Sequence, residues 1–379
     1  MSFTGKATYS AGASLPESAE DVADLVAINS PHETPLLDAL GDAPRTAHST
    51  IHEWLEDSLL PNTDSIASVT DSTHLVVANI DRFQAGDQIQ VDGESEVILV
   101  TDVDSGTATI TVTRSYGGTA SGNAAADDVL HILGNAALEG ADASAARFTA
   151  RSRLANYTQI FSSTVEVSGS ELAVRQIGVR DELDYQKNQR LRELLRDLEN
   201  CVINGVAPAA TQQGSASVRR TMKGVIPFIQ SNTFAPGTGG FPAGTTLSED
   251  QLNAALREIW KSSNGEVDLI LVGGTQKRAI NNFVATNRRF TSDDESFKNL
   301  ISVYESDFGV CRILMSRFVP SGNVLLLDSS RIEVVPLSGR SFHYKPLAVT
   351  GDRESGQLIG EYTLELRNEN AHGLISGLA

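Results

Sequence analysis

The sequence predicts an α+β protein with a small all-β domain inserted into its N-terminal half. Short β-rich runs separated by turn residues fill residues 69–133, and one long helical pattern follows at 170–204. Beyond that helix, amphipathic helical segments and short apolar strands continue to the C-terminus. Because each of these elements has an apolar side, the C-terminal half is expected to have a core of its own.

The first 63 residues have the pattern of an arm and not of a domain. A first helical piece carries four apolar residues at helical spacing, Val22, Leu25, Val26 and Ile28, and Ser30-Pro31 ends it. A second helical piece at 32–40 and a polar extended stretch at 46–59 follow. These pieces cannot bury a core alone, so we expect them to bury their apolar side chains on other copies of the chain.

Residues 69–133 predict an antiparallel β domain of five strands. The five runs are HLVVAN, DQIQV, SEVILV, TATITVTR and DVLHIL. In the fourth run, Ala108, Ile110 and Val112 alternate with threonines, which is typical of a strand with one buried face. Asp92-Gly93, between the second and third runs, supplies the positive φ angles that tight hairpins need.

The pattern at 170–204 predicts the longest helix of the protein. Its apolar residues recur with a period of 3.6, at Leu183, Leu191, Leu194, Leu195, Leu198 and Val202. Opposite charges support it at one turn's separation, in the pairs Arg180–Asp184, Arg190–Glu193 and Glu193–Arg196. Gly205 follows as a helix stop.

A long Gly-, Ser- and Pro-rich stretch, 205–247, leads to a second helix with a capping box at Ser248 and Gln251. The following sequence LILVGGTQKR places glycines between a strand and a helix, as in a phosphate loop. It lacks the spacing of either glycine-rich phosphate motif, so we expect only a helix that begins after a tight turn.

The formal net charge of −18 is concentrated near the N-terminus. Residues 1–145 have 23 Asp and Glu against four Lys and Arg, a net of −19, whereas the rest has 25 against 26. This acidity argues against a protein that binds nucleic acid by neutralising phosphates. No signal peptide and no membrane span is read. Cys201 and Cys311 are far apart, without a CxxC, and are expected to be two buried thiols.

Two patterns are candidates for ion binding, and each has a simpler interpretation. His48, His52 and Glu53 would place two imidazoles on one face of a helix, as in a zinc hydrolase, but their alternation suits a strand. Asp102, Asp104 and Gly106 resemble the start of a calcium loop without its downstream acidic ligand, so a hairpin turn is favoured. The acidic cluster 293–295 beside Arg288-Arg289 is expected to be a solvated or salt-bridged loop. We therefore nominate no catalytic, cofactor-binding or metal-binding residue, and no cofactor.

Six motifs occur in a familiar order: HEWLEDSL (52–59), NYTQIFSSTVEVSG (156–169), RDLENCVING (196–205), LILVGGTQKRAINNF (269–283), VYESDFG (303–309) and EYTLELRNENAHG (361–373). Together they resemble the tailed-phage major capsid proteins related to that of phage SU10. The resemblance covers nearly the whole chain except about residues 65–135. It implies the HK97-like capsid fold and a protein that is not an enzyme.

The domains of that fold map onto the chain as expectations. The resemblance implies an N-terminal arm at 1–45, an E-loop at 46–165, a P domain at 166–247 with its spine helix at 170–204, an A domain at 248–335, and a C-terminal return to the P domain at 336–379. The E-loop is a long β-hairpin that reaches over a neighbouring subunit. The β domain at 69–133 departs from the family pattern, and we expect it to be an insertion in the E-loop that faces outward.

The resemblance implies a major capsid protein that self-assembles, as pentamers and hexamers, into the icosahedral shell around the double-stranded DNA of a tailed bacteriophage. Expected partners are a separate scaffolding protein, a portal, possible decoration proteins and weakly, non-specifically contacted DNA, with no membrane. The expected location is the virion capsid, assembled in the host cytoplasm. The alternative is an encapsulin-like compartment shell protein with the same fold; a fibre or adhesion protein is suggested by the β domain alone.

Two expectations concern the chemistry of assembly. Some HK97-fold shells are locked by a bond from an E-loop lysine to an asparagine of another subunit. All lysines of this chain lie outside 46–165, at Lys6, Lys187, Lys223, Lys261, Lys277, Lys298 and Lys345, so no such cross-link is expected. No long charged helix precedes the arm, so we expect a separate scaffold, or none, and no cleaved N-terminal scaffolding domain.

Overall fold

The computed structural model describes residues 33–140, 142, 146–174, 181–287, 303–348 and 351–379. The chain divides into two compact units: Leu55–Ser152, called the small unit here, and the chain on both sides of it, called the large unit. The helical piece expected at 22–28 and the acidic cluster at 293–295 lie outside the described residues.

The described helices are α1 (Pro35–Leu40), α2 (Gly169–Ala173), α3 (Glu182–Asn204), α4 (Val225–Phe228), α5 (Glu249–Ser262) and α6 (Gly274–Asn287). The described strands are β1 (Ile51–Glu56), β2 (Thr63–Asp71), β3 (His74–Val77), β4 (Asp87–Val91), β5 (Val97–Asp104), β6 (Thr109–Thr113), β7 (Val129–Asn135), β8 (Ser152–Tyr157), β9 (Gln159–Ser168), β10 (Thr233–Phe234), β11 (Leu269–Val272), β12 (Val303–Ser306), β13 (Gly309–Met315), β14 (Val324–Leu327), β15 (Ile332–Pro336), β16 (His343–Pro346), β17 (Arg353–Leu366) and β18 (Gly373–Ile375). None of the described helices is long and apolar enough to cross a membrane.

A six-stranded sheet, in the order β10-β18-β14-β11-β13-β12, lies within the large unit. All four residues of β11 are apolar and buried, because both faces of the sheet are covered. Leu269 and Leu271 belong to one core cluster, and Ile270 and Val272 to the other. Strands β10 and β18 join this sheet from outside 248–335, so the A-domain bounds expected from the sequence do not contain the whole sheet.

The helices on this sheet begin where the sequence predicts. At α5, the Ser248 hydroxyl accepts the Gln251 N–H, and the Gln251 side chain accepts the Ser248 N–H, which confirms the capping box. Helix α6 begins at Gly274, two residues after β11 ends, as expected for a helix after a tight turn. The buried face of α5, formed by Leu252, Ala255, Leu256 and Ile259, packs in the same cluster as Ile270.

A second sheet is built on β17, the longest described strand. On one side β17 pairs with β15 and β16, and on the other it pairs antiparallel with β9, from Gln159 opposite Tyr362 to Ser168 opposite Arg353. Helix α3 packs against β9 and β17. The long helix and the C-terminal strand β17 therefore pack in the same part of the large unit.

Helix α3 is shorter than the helix expected at 170–204. Asp181 caps its first turn by accepting the Asp184 N–H at 3.1 Å, and the separate helix α2 ends with an extended Val174. The described residues of 170–204 thus belong to two separate helices, because Ser168 and Asp181 each cap the start of one. The Arg190–Glu193 ion pair is present at 2.8 Å, whereas Arg196 lies 3.7 Å from Asp197. Arg180 is outside the described residues.

Gly205 follows α3 because the backbone is crowded here, and not because the residue adopts a left-handed conformation. Its φ is −55°, a value open to any residue, but a Cβ at this position would lie 2.4 Å from the Cys201 carbonyl oxygen and 2.8 Å from that of Met222. The Gly224 N–H donates to the Gly205 carbonyl at 2.8 Å. Two glycines are therefore needed because two backbone segments touch here.

The small unit contains a closed barrel in the strand order β2-β3-β6-β5-β4-β7. Its interior is filled by eleven buried apolar residues: Ile66, Leu75, Val77, Phe83, Ile89, Val91, Ile98, Val100, Ile110, Val112 and Leu130. The barrel has six strands and runs from 63 to 135, which corrects the five strands expected at 69–133. The missing strand is β2, where the buried Asp64 takes the place of an apolar residue and hides the alternation.

Both cysteines are free thiols. Cys311 is buried, and burial raises the pKa of its thiol to about 11. Cys201 is only partly buried, which corrects the expectation of two buried thiols. Its Sγ accepts a hydrogen bond from Gln159 at 3.3 Å.

The closed barrel predicts that the small unit folds by itself. We expect a fragment of residues 57–150 to give dispersed amide NMR signals and a single cooperative thermal transition, since its core is complete. Ile98→Ala should lower its free energy of unfolding by about 2 to 4 kcal/mol. Val129→Ala, at a residue 41% exposed, is the matched control. A fragment without dispersed signals would show that the barrel needs the rest of the chain.

Candidate assembly surfaces

The structure does not bring His48, His52 and Glu53 together. His52 and Glu53 are neighbours in β1 and point to opposite faces of the strand. His52 Nε2 lies 2.6 Å from Glu365 Oε2, and Glu53 Oε2 lies 3.6 Å from Arg153 Nη1. Over the described ranges, no group of three or more His, Cys, Asp or Glu side chains could hold a metal ion.

The Asp102–Gly106 pattern is a hairpin turn between β5 and β6. Asp104 Oδ1 accepts the Gly106 N–H at 2.9 Å, and Asp104 Oδ2 accepts the Thr107 hydroxyl at 2.8 Å. These hydrogen bonds lower the pKa of Asp104. The Asp104 carboxylate therefore stabilises the hairpin turn, which the sequence favoured over a calcium loop.

Strands β1 and β8 form a two-stranded ribbon. Along the chain, this ribbon lies on either side of the small unit. A two-stranded ribbon is marginal by itself, so its attachment to the large unit decides whether it is ordered. Trp54 provides an apolar attachment: it is 8% exposed and packs 6.0 Å from Phe228, ring centroid to ring centroid.

Asn156 provides the polar attachment of the ribbon. Its side-chain amide donates to the carbonyls of Lys223 (2.9 Å) and Leu364 (2.8 Å), and its Oδ1 accepts the N–H groups of Lys223 and Tyr157, both at 2.9 Å. All the polar capacity of this buried side chain is used. Asn156 therefore joins the ribbon to both β17 and the loop before α4.

Two buried glutamates of β17 lie beside the same attachment. Glu361 accepts hydrogen bonds from the Thr158 hydroxyl at 2.6 Å and from the Arg220 guanidinium, and Arg340 Nε lies 2.8 Å from its second oxygen. Because two arginines and a hydroxyl surround it, this carboxylate is compensated although it is 3% exposed.

Glu365, two positions beyond Thr363 in β17, contacts both the ribbon, through His52, and the segment before it, through Arg45. It lies 2.6 Å from His52, 3.2 Å from Arg45 Nη2 and 3.5 Å from Arg367 Nε. The hydrogen bond from His52, with the positive charges of the arginines, lowers the pKa of Glu365 despite its burial. Arg45 also contacts Glu333 at 2.9 Å.

Sequence reasoning missed this carboxylate network. Its signal is the alternation in EYTLEL, where Glu361, Thr363 and Glu365 occupy one face of the buried end of β17. Charged residues on a buried strand face need partners. Arg367 is close in sequence, but Arg45, Arg220 and Arg340 come from segments too far away to be matched by spacing.

Glu199 holds α1 against α3. Its buried carboxylate accepts the N–H groups of Leu36 and Leu37 at 3.2 Å and the Ser316 hydroxyl at 3.1 Å. Burial raises the pKa of Glu199, an effect that these three hydrogen bonds oppose. Leu36 itself is fully buried in the main core cluster, so this piece of the arm is fixed within its own subunit.

The barrel surface is negatively charged because the two arginines of the barrel form ion pairs with buried carboxylates. Arg82 and Arg114 are the only Lys or Arg between 63 and 135. Arg82 pairs with the buried Asp64 at 3.1 Å, and Arg114 with the buried Glu96. The Arg114 hydrogen bond is the main reason why the pKa of Glu96 falls to about 2. The exposed acids of the barrel, among them Asp71, Asp92 and Asp127, thus have no lysine or arginine of the barrel to offset them.

His372 is a buried titratable group at the start of β18. Its Nδ1 accepts the Asp328 backbone N–H at 3.2 Å, which requires a neutral ring with its proton on Nε2. Burial lowers its pKa to about 4. The C-terminal part of the sheet is therefore built around a neutral imidazole.

Several large apolar side chains are exposed on the described surface. In the small unit the most exposed are Leu59 (92%), Phe148 (88%) and Leu138 (83%). In the large unit they include Trp260, Val303 and Val310, all at or near the β12 edge of the six-stranded sheet. Side chains of this size in such positions favour contacts with another protein surface.

Solved structures with a similar fold are shells. A native GTA particle capsid matches with a TM-score of 0.54 and 9% identity over 96% of both chains. The capsid of the Myoviridae phage XM1 matches with a TM-score of 0.51 and 10% identity over 97% of this chain and 100% of that one. The cyanophage A-1(L) capsid also scores 0.51, with 13% identity over 95% and 97%. The fold is therefore the HK97-like capsid fold of phage shells.

The sequence model of the SU10 major capsid protein family matches residues 3–379. The chain belongs to this family and is a major capsid protein of a phage shell. The resemblance seen in the six motifs is thereby confirmed. Among curated proteins, none matches the sequence.

Asn156→Asp should destabilise the large unit more than Asn156→Ala, which only truncates the side chain. An ionised aspartate would place oxygen against the Lys223 and Leu364 carbonyls, so we expect a loss of about 3 to 5 kcal/mol in the free energy of unfolding at pH 7. Asn156→Ala should cost about 2 to 3 kcal/mol. Urea unfolding of unassembled subunits measures both, with Asn123→Asp at an exposed position as control. Equal stability of Asn156→Asp and its control would contradict this role.

His372 should make the large unit sensitive to acid. Its pKa in the folded protein, about 4, is below the ordinary value of 6.5, so the unfolded chain binds the proton more tightly. Stability is therefore lost as the pH falls from about 6.5 to 4, by about 3 kcal/mol in total. His372→Asn, which keeps an acceptor for the Asp328 N–H, should remove this part of the pH dependence. His131→Asn, at an exposed histidine, should not; similar pH profiles for the two variants would refute the assignment.

Proposed function

We propose that copies of this chain assemble as pentamers and hexamers into the icosahedral shell that encloses the double-stranded DNA of a tailed bacteriophage. The match of the SU10 major capsid protein family to residues 3–379 is the observation that carries this proposal. A separate scaffolding protein and a portal are the expected assembly partners, and decoration proteins are possible ones. The shell would form in the host cytoplasm and remain in the virion.

The ribbon and the small unit would together be the E-loop with an inserted domain. Support comes from the chain order, since β1 leads along the chain into the small unit and β8 follows it. The two arginines of the barrel pair with buried carboxylates, and most of its other acids lie on its surface. An outward position would keep these charges away from packaged DNA, because like charges repel most strongly at short range.

The role we propose is structural, without catalysis. The buried carboxylates of β17 are surrounded by arginines and hydroxyls of the same chain, which is a framework arrangement. An encapsulin-like compartment is the alternative. The family match favours the phage shell, and the contents of the particles distinguish the two possibilities: packaged DNA in one case, cargo enzymes in the other.

Electron microscopy of particles tests this function. Expression of the full chain, alone and with the scaffolding and portal proteins of its phage, should give closed shells of uniform size. Tailed, DNA-filled particles from infected cells should contain this chain as their main protein. Particles filled with protein cargo would favour the encapsulin alternative. A chain that remains monomeric with its scaffold present would overturn the proposal.

Replacing residues 63–135 by a flexible Gly-Ser linker tests the barrel separately. Thr63 lies opposite His131, and β7 continues only four residues further, to Asn135, so a linker of a few residues can join the chain ends that remain. If the barrel contributes to contacts between capsomers, shells of the shortened chain should dissociate at a lower temperature. Unchanged heat stability would show that the barrel does not contribute to contacts between capsomers.

No covalent ladder of subunits should appear on a boiled denaturing gel of mature particles. No lysine lies between residues 46 and 165, so the E-loop has no amine for a bond to an asparagine of another subunit. A single band near 40.5 kDa is the expected result. Bands at multiples of that mass, resistant to boiling and reductant, would contradict it.

A further inference from the structure

The end of α5 presents an exposed tryptophan beside a groove of mixed polarity. Trp260 is 64% exposed, and its ring centroid lies 6.0 Å from that of Phe308 in the turn between β12 and β13. The groove is lined by Leu256, Ile259, Trp260, residues 263–267 and Phe308. Its floor consists of core residues of the large unit, since Leu256, Ile259 and Val267 are buried there.

Charges of opposite sign lie on the two sides of Trp260. On the helix side, Arg257 and Lys261 are more than half exposed, and Glu258, 3.4 and 3.7 Å from them, offsets only one of the two charges. On the hairpin side, Glu266, Glu305 and Asp307 are exposed. Glu266 lies near the hairpin, because a Cβ at Gly309 would be 3.9 Å from its Oε1. The groove thus has a basic rim and an acidic rim.

We propose that this groove is a contact between two copies of the chain, in which Trp260 is buried and the basic rim of one copy faces the acidic rim of the next. The inference rests on the proposed function, since the second copy is a neighbour in the shell. A surface with two unlike rims is complementary to itself in a head-to-tail arrangement, and such contacts close into rings.

Tryptophan and arginine are the residues that most often dominate the energy of protein contacts. A tryptophan at the centre with charged residues at the rim is the usual anatomy of such a contact. The β12 strand next to it is short and is the last in the order of the described strands of its sheet.

The chain has only two tryptophans, which makes the proposal directly measurable. Trp54 is 8% exposed within the core, so Trp260 is the one that acrylamide can reach in a free subunit. We expect quenching of the total emission to fall at least twofold when subunits of the full chain assemble. In Trp260→Phe, which leaves Trp54 alone, assembly should not change the quenching.

Reversing the charge of each rim in turn tests whether the basic rim of one copy faces the acidic rim of the next. Arg257→Glu with Lys261→Glu makes both rims acidic, and Glu266→Lys with Asp307→Lys makes both basic. Each variant alone should need at least a tenfold higher concentration to assemble, and an equimolar mixture should recover much of the loss. Reversal of another exposed ion pair of the large unit, Arg353→Glu with Glu166→Arg, is the control, and it should leave the concentration dependence of assembly unchanged.

The outcomes separate the two proposals. If wild-type shells form and Trp260 is quenched as strongly in them as in subunits, the groove faces solvent and this inference is wrong, while the capsid function stands. Failure of the mixture to recover assembly would equally overturn the head-to-tail pairing of the rims. Recovery only as 1:1 pairs would replace it by a twofold contact. If the wild-type chain forms no assembly under any condition, both proposals fail together.

Discussion

The antiparallel ladder between β9 and β17 is the constraint on which the large unit depends. It joins residues 159–168 to residues 353–362, which are about 190 positions apart in sequence, and α3 packs against it. On one side of β17 lie β15 and β16, and the continuation of β9 toward the N-terminus is β8 of the ribbon. A change in register here would move every side chain of β17 to the opposite face, which no other element could compensate.

The buried carboxylates of β17 show why that register is specific. Glu361 and Glu365 lie on one face. Glu361 meets Arg220 and Arg340, and Glu365 meets Arg45, all from segments distant in sequence. A slip by one residue would put these charges against the apolar core and leave the arginines unpaired. Apolar packing favours compactness in many registers, whereas a charge network of this kind is satisfied in only one. This is the role in which buried ion pairs serve specificity more than stability.

Much of the fold could be predicted from local patterns. The capping box at Ser248, the buried strand β11 and five of the six barrel strands follow from periodicity and turn chemistry, because their determinants lie within a few residues. The sixth strand escaped prediction because Asp64 is buried with a partner, Arg82, eighteen positions away. The helix at 170–204 was wrong in its start for a related reason: the charge pattern continues across the Asp181 cap. The attachment of the ribbon could not be predicted, since Asn156 binds backbone groups of Lys223 and Leu364, and a backbone partner has no sequence signature.

The way in which the barrel begins and ends has a further consequence for the evolution of such shells. Its first and last strands are neighbours, with the Ile132 N–H bonded to the Asn62 carbonyl at 2.7 Å. The entering chain at Asn62 and strand β7 at Ile132 are therefore about 5 Å apart, the ordinary spacing of paired strands. Any domain whose termini meet at that spacing could occupy the same place at almost no cost in loop-closure entropy. One module can therefore be exchanged for another at this strand pair, or a peptide inserted there, without a change in the sequence of the large unit.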